Sequence, residues 1–194
     1  MFERFFHPAH AAATPPPPIP DVAPPGGSGD TATVRRIVAK LEAMPPEQAR
    51  FVAASAYILA RAANADMQIT DDETHAIELE LEDEDGLDEA TAVLVTEMAK
   101  LQAKTVGGTE DYVVTREFKA ISTADQRLRI VRACFAIGAA SGTISAEETA
   151  VVNEIAGELD IDASTLNGIR AEFHEQLSSV QAIRRVTGES GQSA

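Results

Sequence analysis

The chain has 194 residues, 44% of them apolar, with no Trp and only 5% aromatics, so Ala, Ile, Leu and Val must do most of the packing. Its net charge of −15 and pI near 4.6 argue against a phosphate-binding surface, and nucleic acid is not an expected partner. Anionic lipid is disfavoured on the same ground, whereas cations and basic partners are favoured.

All ten prolines fall before position 47. Pro15 to Pro18, Pro20, Pro24 and Pro25, with Gly26, Gly27 and Gly29, predict a semi-extended, disordered linker over residues 8–30. It tethers an aromatic tip, Phe2, Phe5 and Phe6, which reads as a partner-docking peptide, a weak interfacial anchor or a plain disordered terminus. The start is too short and too charged for a signal peptide. No apolar run approaches the ~20 residues of a membrane span.

From residue 31 the pattern is helical. Val34, Ile37, Val38 and Leu41 recur at helix spacing. Pro46 suits the first position of the next helix, which runs to about Asn64. Thr70 and Glu73 make a capping box for a third helix, which Gly86 breaks. A fourth spans roughly Asp88 to Lys104, with Gly107 and Gly108 ending it. Tyr112 to Thr115 is β-prone but isolated, and is expected to be a loop before a brief helix around Phe118. Thr123 caps the next helix, which carries Cys134 as a small buried apolar residue. Ser145 and Glu148 make a second capping box. Asp162 or Ala163 opens a last helix with Leu166, Ile169, Phe173 and Leu177 on one face, and the end from about Val186 should fray. The fold class is all-α: a compact bundle of about seven to eight helices with two pseudo-repeated acidic turns. The expected division is a Pro-rich tail over 1–30, a helical domain over 31–178 and a C-terminal tail over 179–194. The lone cysteine implies a reducing compartment and a cytoplasmic location.

No Lys or Arg lies between Arg61 and Lys100, where thirteen Asp or Glu occur. Asp71, Asp72 and Glu73 suit a first helical turn, because the helix dipole favours negative charge there. Glu82, Asp83, Glu84 and Asp85 crowd a helix end, where it does not. That stretch is either a solvated surface or one that a cation or basic partner relieves.

The most informative feature is a repeat. Asn64-Ala65-Asp66-Met67-Gln68-Ile69-Thr70-Asp71-Asp72-Glu73 recurs 75 positions later as Ala139-Ala140-Ser141-Gly142-Thr143-Ile144-Ser145-Ala146-Glu147-Glu148. Set on a calcium-loop template, the first turn offers Asn64, Asp66 and Glu73 as oxygen ligands, but Ala62 and Met67 break the pattern. The second keeps Gly142 and Glu148 alone. Neither is a complete calcium loop. Glu73 and Glu148 also have a structural reading as capping-box residues.

At these residues the chain resembles the TerB family of tellurite-resistance domains, which carry Ala-Asp-Gly-x-Ile/Val-Ser/Thr-x-x-Glu twice. The matches are Ala65, Asp66, Ile69, Thr70 and Glu73, then Ala140, Gly142, Ile144, Ser145 and Glu148, within a likeness over residues 31–178. The resemblance implies a non-enzymatic module linked to tellurite and metal stress, with protein partners and a peripheral membrane association left open. It carries the family's proposed metal site onto Asp66, Glu73 and Glu148. With Asp71 and Asp72, these are the candidate ligands for calcium, magnesium or manganese. Met67 and Ser141 depart from the signature, which biases an ion toward the first turn. The alternative is a protein–protein interaction module with no bound metal. No phosphate loop, nucleophile elbow or zinc-type cluster is present, so no enzyme is expected.

Overall fold

The computed structural model describes residues 30–83, 86–105 and 109–189. The aromatic tip Phe2, Phe5 and Phe6, the acidic pair Glu84 and Asp85, and Gly107 and Gly108 lie outside the described residues.

Among the described residues the chain forms nine helices and no strand. They are α1 (Asp30–Ala43), α2 (Pro46–Ala63), α3 (Asp71–Asp83), α4 (Glu89–Thr105), α5 (Thr109–Ile121), α6 (Ala124–Ala140), α7 (Ala146–Glu158), α8 (Ala163–Glu172) and α9 (Ser178–Glu189). No helix is long and apolar enough to cross a membrane.

Helix α2 is the axis of the bundle. Every residue from Val52 to Ala63 is buried, and α3, α4, α5, α6 and α7 all pack on it. A helix apolar all round belongs inside a core. The run of alanines keeps its surface narrow enough for five neighbours. Phe118 and Phe135 supply the bulk between helices, with Phe51 against Phe118 and Phe135 against Phe173 at centroid distances of 5.2 and 5.8 Å.

The sequence repeat is a structural repeat. Helices α3 and α7 start and stop at positions 75 apart. Each has an inward stripe that begins with a glutamate: Glu73, Ile77 and Leu81 on α3, then Glu148, Val152 and Ala156 on α7. The packing is reciprocal. Helix α3 lies against α6, and α7 lies against α2. Each turn is thereby carried toward the other half of the molecule.

Two expectations fail. The loop and brief helix around Phe118 are one continuous helix, α5, because Val114, Thr115 and Phe118 share a buried face and Thr115 Oγ1 bonds back to the Asp111 carbonyl at 3.0 Å. β-Propensity at Val113 and Val114 is overridden by that burial. The helix opened by Asp162 stops at Glu172, so Leu177 is not on its face. Leu177 instead forms a one-residue parallel bridge with Ile144, and α9 follows through Ser178–Glu189.

Candidate functional site

Both turns are built by the same local chemistry. In the first, the Glu73 backbone N–H donates to Thr70 Oγ1 at 3.2 Å, and Glu73 Oε2 accepts from the Thr70 N–H at 2.8 Å and hydroxyl at 2.9 Å. In the second, the Glu148 N–H donates to Ser145 Oγ at 3.0 Å and Glu148 Oε2 accepts from the Ser145 N–H at 2.7 Å. Both are capping boxes, which satisfy helix N–H groups that have no intrahelical partner.

The capping bonds fold each glutamate inward, and both residues are only 4% exposed. The reciprocal packing then brings them near each other: the Glu73 carboxyl is close enough to Glu148 to disfavour its charged form. Among the described residues no lysine, arginine or histidine forms an ion pair with either. Burial pushes the Glu148 carboxyl up to about 7, the Ser145 bonds oppose that rise, and the Glu73 carboxyl adds to it. Two buried carboxyls near each other disfavour each other's charge, which favours the protonated form of Glu148. Gly138 lets Glu148 lie close to α6, since a Cβ there would meet Glu148 Oε1 at 3.0 Å.

The other candidate ligands are placed differently. Asp66, Asp71 and Asp72 are exposed. Asp66 Oδ1 accepts the Gln68 N–H at 2.9 Å, closing a local turn. Asn64 donates through Nδ2 to the Ala103 carbonyl at 3.2 Å, and its Oδ1 is buried with no hydrogen-bond partner. Among the described residues no group of three or more His, Cys, Asp or Glu is arranged to hold a metal ion. Of the candidate ligands, only Glu73 and Glu148 turn their carboxyls inward.

A feature the sequence reading missed is Arg61, which is only 8% exposed. Its Nη1 reaches Glu158 at 2.9 Å and Thr115 at 3.2 Å, its Nη2 reaches Glu154 at 3.0 Å, and Asp111 lies 3.9 Å from Nε. Tyr57 donates to Asp111 at 2.7 Å. Burial lowers the Arg61 pKa, but Glu158, Asp111 and Glu154 together outweigh it and leave the value raised. The only signal in the sequence was a basic residue among the small apolar side chains of α2. The exposed His75 lies beside Glu78, with Nδ1 and Oε2 3.5 Å apart. Cys134 is buried, and desolvation pushes its thiol up to about 12, so it is no nucleophile. A cleft of about 30 Å³ lined by Phe51, Ser55, Glu80, Phe118 and Arg129 has room for little more than one water.

A family model described as "Tellurite resistance protein TerB" matches residues 51–171, which takes in most of α2 through most of α8 and both turns. No curated protein and no solved structure matches the chain.

Proposed function

The chain belongs to the TerB family, and on that premise we propose that it is a non-enzymatic cytoplasmic domain of the tellurite- and metal-stress response that takes a divalent cation where its two turns meet. The observation that carries this reading is that Glu73 and Glu148 are both buried and near enough for one carboxyl to disfavour the other's charge, with no basic partner among the described residues. Two such groups cannot both be charged without a positive neighbour. A hard divalent ion would supply it, drawing on the two carboxylates and on water. Magnesium and manganese suit so few protein ligands best, because they retain coordinated water. The exposed Asp66, Asp71 and Asp72 would act from outside, raising the local concentration of cations rather than coordinating in the interior.

The test is thermal unfolding of the full chain with and without calcium, magnesium, manganese and zinc at physiological salt. A ligand at a hundredfold excess over its dissociation constant adds roughly 2.7 kcal/mol to a native state that alone binds it. A shift for one ion that vanishes in Glu148→Gln and in Asp66→Asn/Glu73→Gln supports the reading. A small shift shared by all four ions and kept in the variants reduces it to charge screening. The second reading, an interaction module with no bound metal, is favoured by a separate observation: the Ile69 N–H and C=O in the first turn have no hydrogen-bond partner among the described residues.

A further inference from the structure

The second turn is completed by a segment from elsewhere in the chain. The Ile144 N–H donates to the Gln176 carbonyl at 2.8 Å, and the Ser178 N–H donates to the Ile144 carbonyl at 2.9 Å. Gln181 reinforces the join, accepting from the Thr143 hydroxyl at 2.9 Å and donating to the Gly142 carbonyl at 3.1 Å. Leu177 packs against the core beside Ile144, which falls to 1% exposed.

The first turn has the same edge, and among the described residues no segment pairs with Ile69 on it. The Ile69 N–H and C=O have no hydrogen-bond partner among the described residues. Ile69 is only half-buried, and Met67 beside it is 84% exposed. The reason lies in the chain path. Helix α8 stops at Glu172 and the chain turns back to Ile144, whereas its counterpart α4 runs on helically to Thr105 and meets the turn at the Ala103 carbonyl, which accepts from Asn64, rather than along Ile69. Unpaired backbone beside half-covered apolar side chains is the condition under which an extended peptide adds to an edge. The surroundings select its charge: Asp66, Asp71 and Asp72 are exposed there, and no Lys or Arg lies between Arg61 and Lys100.

We propose that the first turn is a docking edge for an extended, basic segment of a partner protein, whose leucine-sized residue pairs with Ile69 as Leu177 pairs with Ile144. This interaction does not require the cation: it uses the backbone of Ile69 and the outward aspartates, whereas the ion would be held by the inward carboxyls.

The probe is the peptide acetyl-KRQLSRK-amide, which sets the chain's own Gln-Leu-Ser in basic flanks, titrated into the ¹⁵N-labelled full chain without divalent ions. The amides of Gln68, Ile69 and Thr70 should shift together, and Ile69 should gain protection from hydrogen exchange. N-methylation of the peptide serine, which removes the N–H expected to donate to the Ile69 carbonyl, should weaken binding about tenfold. Asp66→Lys/Asp71→Lys, both at exposed positions, should weaken it by a similar factor, and the acidic peptide acetyl-EEQLSEE-amide should not bind. The proposal is overturned if no peptide binds. It is also overturned if the N-methylated peptide binds equally well with shifts spread over α3, which would be charge attraction alone. Protection of the Ile69 amide that rises with protein concentration in the absence of peptide would place a second copy on the edge, and would overturn it too.

Discussion

Turn two holds its left-handed position with Gly142 at φ +91°, buries Ile144 and pairs it with Leu177. Turn one puts Met67 in the same conformation at φ +66°, half-covers Ile69 and leaves its backbone unpaired among the described residues. Yet both turns place a capping glutamate at the same interior point. The lesson is that the repeat conserves what faces inward and relaxes what faces outward. One turn is closed by its own chain, and the other keeps strain and unsatisfied groups on the surface.

The halves are also fastened asymmetrically. Arg61 reaches from α2 to Glu154 and Glu158 of α7, whereas its counterpart in the second repeat is the exposed Ala136. Breaking that fastening should have the largest effect. Arg61→Ala leaves Glu158 half-buried and uncompensated and should cost about 3 kcal/mol, read from urea unfolding. Ala136→Ser, at the equivalent place, should change stability by less than about 0.5 kcal/mol.

Titration tests the point where the two turns come near each other. The folded Glu148 carboxyl titrates at about 7, above the 4.5 of a free glutamate. The native state therefore binds the proton more tightly, and the stabilisation is complete below the unfolded value and lost as pH rises through the folded one. Stability should fall by roughly 2 kcal/mol between pH 4.5 and pH 7 in metal-free buffer. Glu148→Gln, which accepts the same Ser145 bond and can donate to Glu73, should flatten that slope. A divalent ion bound at the pair should also flatten it, by stabilising the charged form. A wild-type slope unchanged in Glu148→Gln would mean that the proton is held elsewhere.

Exchanging the left-handed residues sharpens the comparison further. Met67→Gly should stabilise by about 1 kcal/mol, since only glycine adopts that φ without a steric cost, and Gly142→Ala should destabilise by a similar amount. Equal melting temperatures for the two variants would show that the turns tolerate strain alike. The smallest effect should come from exchanging the caps, Thr70→Ser or Ser145→Thr, within a few tenths of a kcal/mol, because either hydroxyl accepts the same N–H.

Much of the fold was legible because its determinants are local. The caps at Thr70, Thr123, Ser145 and Asp162 and the break at Gly86 depend on residues within one turn of chain. Misreadings arose where a distant partner decided the outcome. Tyr112 to Thr115 look β-prone until Val114 and Thr115 are seen buried in the bundle, and Leu177 looks helical until Ile144 claims its backbone neighbours. The candidate site was legible as a set of acidic residues in two similar turns, but not as an arrangement.

By itself the sequence determined the all-helical class, the two capping boxes and the acidic first turn, since periodicity, caps and charge act over a few residues. Only the tertiary structure decided that Glu73 and Glu148 come near each other, that Asp66, Asp71 and Asp72 face outward, and that Arg61 ties α2 to α7. Those outcomes depend on how α3 crosses onto α6 and α7 onto α2, a matter of packing between segments far apart in the chain, which no local pattern encodes.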